Sequence, residues 1–288
     1  MRYILLSLLL FAVPVTAQET PAREVPCKLI PDIVYEKVKD KEIKIDLAIP
    51  AKGEGPFPTV LCVHGGAWRL GSRKELTGLI KLLASQGYVA AAVQYRLVPD
   101  VMFQDQIEDV KTSVRWLREN AKQYSIDPDR LGCMGFSAGG HLVCLLGLTG
   151  PDNGFEGKLF PKQSSRVKCV VDYFGPTDLS AYGNDETAQN SVFEPMLGGR
   201  FKDKPELYKK ASPLTYVHKD APPFLIIHGT KDHLVPYNQS VQLEDKLKQV
   251  GGKVKLVTVE GADHGFFGED QRRTTRETLK FLEENLKK

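Results

Sequence analysis

Short runs of continuous apolar residues alternate with longer stretches of helical spacing. The runs are Thr59-Val60-Leu61-Cys62-Val63, then residues 89–93, 130–134, 167–173, 224–228 and 254–259. A run apolar on both alternating faces predicts a strand covered from both sides, as in a parallel sheet. Residues 32–38 and 42–48 alternate instead, as in Ile43-Lys44-Ile45-Asp46-Leu47. They predict two antiparallel edge strands, followed by a Pro/Gly-rich turn at 50–58. Helical spacing is found at 75–85, stopping at Gly87, and at 104–121, where Ile107, Val110, Val114 and Leu117 share a face. It recurs at 138–148, 238–249 and 273–286. Strands alternating with helices predict an α/β fold with a mostly parallel, doubly wound sheet flanked by helices.

One region breaks the rhythm. Between Tyr173 and Phe224 no comparable strand pattern occurs. A connection this long inside a compact domain is usually functional, so a lid-like insertion is expected at about 176–216. It carries polar and aromatic residues, among them Tyr182, Asn184, Asn190, Phe193 and Tyr208. Aromatic faces beside amides suit a sugar or phenolic leaving group better than an alkyl tail.

The first residues read as an export signal. Arg2 precedes an apolar run at 4–13 and a small-residue cleavage site at Val15-Thr16-Ala17, the pattern of a signal peptide at 1–17. The run is too short for a stable membrane span. This predicts a secreted or periplasmic protein with one domain over 18–288. The net charge of +3 is spread among interspersed residues, with no basic run of the kind that binds nucleic acid. Of the five cysteines, Cys62, Cys133, Cys144 and Cys169 fall in predicted elements and read as small buried hydrophobes. Cys27 is either free or bridged. No cysteine or histidine cluster has metal-ligand spacing, so neither a metal nor a cofactor is expected.

The stretch Gly135-Phe136-Ser137-Ala138-Gly139 sits between a predicted strand and a predicted helix. That context makes Gly-x-Ser-x-Gly a nucleophile elbow, with Ser137 on the tight turn. A Ser hydroxyl needs a base within hydrogen-bond reach, and the base needs an orienting acid. On such a scaffold the acid and then the histidine follow the serine along the chain. His264, in the loop after the last strong strand, is the candidate base. Asp232, in the loop after residues 224–228, is the candidate acid. His233 is the second candidate base, and Asp178 the second candidate acid. Asp263 abuts His264 in sequence, which disfavours a face-to-face pair. His218 and His228 are poorer bases, and His141 reads as structural. The developing oxyanion needs donors. The amides of Gly66, Ala67 and Ala138 are the candidates, with His64 bracing their loop. Trp68 either lines the substrate pocket or packs as an ordinary buried aromatic.

Together, His64-Gly65-Gly66-Ala67-Trp68, Tyr95-Arg96-Leu97, Gly135 to His141, Asp232 and Gly261 to Gly265 resemble the α/β-hydrolase esterases and lipases. The resemblance is to the branch with bacterial feruloyl and acetylxylan esterases, related to hormone-sensitive-lipase-like carboxylesterases. The His-Gly-Gly-x-Trp motif is also similar to that of the kynurenine formamidases. The resemblance implies a Ser-Asp-His triad, an acyl-enzyme, and an oxyanion hole on the His-Gly-Gly-x-Trp loop. It implies a carboxylesterase for short acyl esters, such as acetyl or feruloyl esters on plant polysaccharide. The substrate would be a small-molecule or polysaccharide-linked ester. A lipase or a formamidase-like amidase or peptidase is the alternative. The long N-terminal cap of the hormone-sensitive-lipase relatives has no counterpart before residue 32, which leaves the lid role to the insertion.

Overall fold

The computed structural model describes residues 26–288. The expected export signal at 1–17 lies outside them. Eight strands form one sheet: β1 (Cys27–Val38), β2 (Lys41–Pro50), β3 (Phe57–Val63), β4 (Val89–Val93), β5 (Ile126–Phe136), β6 (Val170–Tyr173), β7 (Phe224–Gly229) and β8 (Val254–Val259). Their order is β1-β2-β4-β3-β5-β6-β7-β8. The β1–β2 and β2–β4 pairs are antiparallel, and every other pair is parallel. This is the α/β-hydrolase architecture expected from the sequence.

Burial follows the apolar runs. Leu61 and Val63 of β3 join the core on one face, while Val60 and Cys62 join the core on the other. The first face is covered by α2 (Phe103–Glu119), α3 (Ala138–Leu148) and α7 (Asn238–Gln249), the second by α1 (Thr77–Ser85) and α8 (Gly268–Leu286). Gly87 follows α1 with φ 84, the left-handed stop that only glycine adopts without strain. Several elements start earlier than their patterns suggest, β1 and α8 by the most. β1 begins at Cys27 but changes register between Ile30 and Ile33, and the irregularity at Pro31-Asp32 hides its first half. The first turn of α8, Gly268 to Arg272, presents no buried side chain and so carries no apolar signal.

The insertion folds into short helices, including α4 (Glu186–Ala188), α5 (Glu194–Leu197) and α6 (Pro205–Ala211). Its side chains enter the core: Phe193 is 4% exposed, and Met196 and Tyr208 are fully buried. This corrects the expectation that Phe193 and Tyr208 offer their faces to a leaving group. They pack against each other and against Trp68 and Phe201 instead. All five cysteines are free. Among the described residues no helix is long and apolar enough to cross a membrane.

Candidate active site

The β3, β5, β7 and β8 strands deliver their following loops to one edge of the sheet, the carboxyl edge where ligands bind in such folds. Ser137 stands at the turn from β5 into α3 with φ 53 and ψ −118. A non-glycine residue in that region costs roughly 1–3 kcal/mol and persists only where its surroundings enforce it. Enforcement comes from both sides: the Ser137 amide donates to Tyr173 O at 2.9 Å, and Ser137 O accepts from the His141 amide at 3.0 Å. The flanking glycines let three backbones meet. A Cβ on Gly135 would lie 2.2 Å from Gly139 O, and one on Gly139 would lie 2.2 Å from Val63 O.

Asp232 and His264 are brought together. His264 Nδ1 lies 2.6 Å from Asp232 Oδ2. A carboxylate only accepts, so Nδ1 carries the proton and Nε2 keeps its lone pair. Asp232 Oδ1 accepts from the Leu234 and Val235 amides at 2.9 and 2.8 Å. His228 Nε2 adds a bond to Oδ2 at 3.1 Å, while its Nδ1 faces Ser240 Oγ at 2.7 Å. Burial works against the Asp232 charge, but the bonds from His228, His264 and the Val235 amide outweigh it and hold the carboxyl well below the usual range. The Phe174 ring packs on His264 with centroids 4.6 Å apart. Since Tyr173 O holds the Ser137 amide, residues 173–174 link the serine turn to the histidine. The Ser137 hydroxyl makes no hydrogen bond to His264 among the described residues; in free hydrolases that contact often tightens only with substrate bound.

The other candidates are placed elsewhere. Exposed His233 pairs through Nδ1 with Asp263 Oδ1 at 2.5 Å, not with Asp232. Asp263 also accepts from the His264 amide at 2.7 Å, fixing the loop rather than the imidazole. Asp178 caps its own turn, accepting from the Ser180 amide at 2.9 Å. His218 lies in the loop before β7, where its Nδ1 accepts from the Asp220 amide at 3.2 Å.

On the other side of Ser137, Gly66, Ala67 and Trp68 have φ of 111, 49 and 60. This run of positive φ makes a tight, strained turn after β3. The amides of Gly66, Ala67 and Ala138 donate to no acceptor among the described residues. A Cβ on Gly65 would sit 3.3 Å from Ser137 Cβ, so this loop lies against the elbow. His64 stacks on Tyr95 at 4.4 Å, and Tyr95 donates from its hydroxyl to His64 O at 3.1 Å. Trp68 is 4% exposed, the burial of a packed aromatic rather than a pocket wall.

Two residues of this region escape sequence reasoning. His228, at the end of an apolar strand, donates to the candidate acid. Asp172, inside the run 167–173, is fully buried. Its Oδ1 accepts from the Gly175 amide at 2.9 Å, while Oδ2 has no partner among the described residues. Burial pushes its carboxyl up to about 6.

Comparison with known proteins agrees with this architecture. The chain matches the BD-FAE family over residues 45–247. It is 35% identical to the esterase LipC of Mycobacterium tuberculosis over 223 residues, covering 76% of this chain and 55% of LipC. The chain spans about half the length of the curated relatives it matches. Among solved structures, a truncated carbohydrate esterase from gut microbiota superposes with TM-score 0.80 at 26% identity, covering 93% of this chain and 99% of that one. Esterase 2 of the planctomycete Thermogutta terrifontis, bound to propionate, gives TM-score 0.73 at 27% identity, covering 91% and 93%. The same esterase, phosphorylated by paraoxon, gives TM-score 0.75 at 26% identity, covering 93% and 97%. With its sheet order, its serine turn and its match over most of the strands, this chain belongs to the BD-FAE family of α/β-hydrolase esterases.

Proposed function

We propose that this chain is a serine carboxylesterase cleaving short acyl esters, such as acetyl or feruloyl esters carried on plant polysaccharide. The observation that carries the reading is the Asp232–His264 pair beside the strained Ser137 turn. Ser137 Oγ attacks the ester carbonyl while His264 Nε2 takes its proton. Asp232, bonded to Nδ1, steadies the imidazolium. The carbonyl oxygen gains charge and turns to the Gly66, Ala67 and Ala138 amides. Collapse breaks the ester C–O bond, and His264 returns the proton to the leaving alcohol. Water then attacks the acyl carbonyl and gives its proton to His264; collapse breaks the bond from the acyl carbon to Ser137 Oγ, the carboxylic acid leaves, and His264 returns the proton to Ser137 Oγ.

Similarity to a carbohydrate esterase and to an esterase solved with propionate supports a short acyl group and a sugar-borne ester. The signal-like residues 1–17 support action outside the cytoplasm, where such polymers are found. The test is a kcat/KM panel with acetyl, butyryl, dodecanoyl and feruloyl esters, acetylated xylo-oligosaccharide and a peptide amide. Highest values on acetyl, butyryl or feruloyl esters, with acetate released from the oligosaccharide, are expected. A maximum at dodecanoyl without acetate release leaves a lipase, and preference for the amide leaves an amidase.

A further inference from the structure

The turn that would hold the oxyanion is under strain, so something must hold it. Gly66 tolerates its left-handed conformation, but Ala67 and Trp68 do not: each costs roughly 1–2 kcal/mol there. The carbonyl of Trp68 is pinned twice, accepting from Gln106 Nε2 at 2.7 Å and from the Val98 amide at 3.0 Å. Gln106 is fully buried on α2, and its Nε2 also donates to Arg96 O at 2.9 Å. These contacts fix the loop to α2 and to the segment after β4. They do not fix it to the serine.

Gly65 packs directly against the Ser137 turn, and one histidine adds a hydrogen-bonded link between the two. Trp68 Nε1 donates to His141 Nδ1 at 3.0 Å, and the two rings meet edge-to-face at 5.0 Å. His141 lies one helical turn after Ser137 on α3, and its amide donates to Ser137 O. Its Nε2 donates to Ala211 O at 2.7 Å, at the end of α6 in the insertion. Both ring bonds are satisfied by a single neutral tautomer, with the proton on Nε2 and the lone pair on Nδ1. His141 is fully buried, and burial pushes its pKa down to about 4, so that tautomer persists at neutral pH. The insertion meets the same anchor from its other side, with Phe193 packed on Trp68 at 6.0 Å and the Arg69 guanidinium bonded to Ser191 O.

We propose that His141 is a positioning residue: through Trp68 it sets the distance between the Gly66–Ala67 amides and the Ala138 amide, and through Ala211 it ties that spacing to the insertion. This rests on the oxyanion role given above to those amides. It differs from a purely structural role for a buried histidine, because it predicts a loss in transition-state stabilisation that separates from any loss in folding.

The test uses single variants of the full chain. Trp68→Phe keeps a packed aromatic ring and removes the donor together with the smaller ring of the indole. His141→Gln retains a donor for Ala211 O but not the acceptor for Trp68. His141→Asn retains an acceptor near the Nδ1 position. Misplacing a catalytic group by about an ångström costs on the order of 100-fold. Trp68→Phe and His141→Gln are therefore expected to lower kcat by about 10- to 100-fold, with KM changed less than about three-fold. Affinity for a phosphonate or boronate transition-state analogue is expected to fall by the same factor as kcat/KM. His141→Asn is expected to recover most of the activity. The Trp68→Phe/His141→Gln double variant is expected to be no worse than the worse single one, since both cut the same bond. Normal kcat and analogue affinity in folded Trp68→Phe would overturn the proposal. So would losses in His141→Asn equal to those in His141→Gln. If the unmodified chain hydrolyses no ester at all, the underlying esterase reading fails instead, and the two failures are told apart.

Discussion

The two sides of Ser137 are built by opposite means. On the acid–base side, side chains do the positioning. The Asp232 carboxylate receives four hydrogen bonds, from two imidazoles and two amides, so its charge is fully hydrogen-bonded. On the oxyanion side, backbone geometry does the positioning. Three successive residues are left-handed, and three amides are left without an acceptor among the described residues. The first side is satisfied before substrate arrives. In the proposed mechanism the second is satisfied only when a negative oxygen appears, which is where an interaction must be withheld if it is to favour the transition state over the ground state.

The largest break in this comparison is expected on the satisfied side. Asp232→Asn leaves the geometry but loses the correct His264 tautomer, and kcat should fall by on the order of 10⁴. Asp178→Asn should change kcat by no more than a few-fold, since Asp178 only caps its own turn. Steady-state kinetics of the two variants checks this, and the reverse ranking would move the acid to Asp178.

On the withheld side, Gly66→Ala places a Cβ 2.2 Å from Leu70 O at a φ of 111. The loop must move, and the account expects kcat to fall about 10²- to 10³-fold, as for loss of one oxyanion donor. Measured kcat within a few-fold of the unmodified chain would remove these amides from the oxyanion hole.

A smaller effect separates stability from catalysis. Asp172 has its carboxyl raised to about 6 by burial, so the folded state holds its proton more tightly than the unfolded one. Stability from this group is therefore present below the unfolded carboxylate range and falls as pH rises from about 4 to about 6. Asp172→Asn keeps an acceptor for the Gly175 amide without the buried charge. It should raise the melting temperature at pH 7 to 8, by on the order of 2 kcal/mol of stability, and the gain should shrink towards pH 4. Thermal unfolding across that range checks it; a gain that grows on acidification contradicts the assigned cause. The smallest effect is expected at His233, exposed and paired with Asp263: His233→Ala should leave kcat within about two-fold, the range of a surface ion pair.

Much of this could be read from the chain before its structure. The strands at 59–63 and 89–93 announce themselves because both faces are buried, and the helix at 238–249 by its spacing. The candidate serine, acid and base come from chain order and from loops placed after strands, and the Asp232–His264 pair is brought together in the structure. Other features are silent for physical reasons. Asp172 hides in an apolar run because nothing local marks a single buried carboxyl. His228 reads as the end of a strand, since its partner Asp232 becomes a neighbour only after the loop turns back. The Trp68–His141 bond joins residues 73 positions apart, beyond any local pattern. The insertion is opaque because its helices are too short for periodicity, and its aromatics turn inward against expectation.

The central claim is that Ser137 is the nucleophile. Incubation of the full chain with paraoxon, followed by intact-mass measurement and peptide mapping, tests it most directly. The account predicts one diethylphosphoryl group per chain, carried on Ser137, with esterase activity lost in proportion to labelling and no label on Ser137→Ala. Phosphorylation at another residue that abolishes activity, or a Ser137→Ala chain that turns over ester at the unmodified rate, would contradict it.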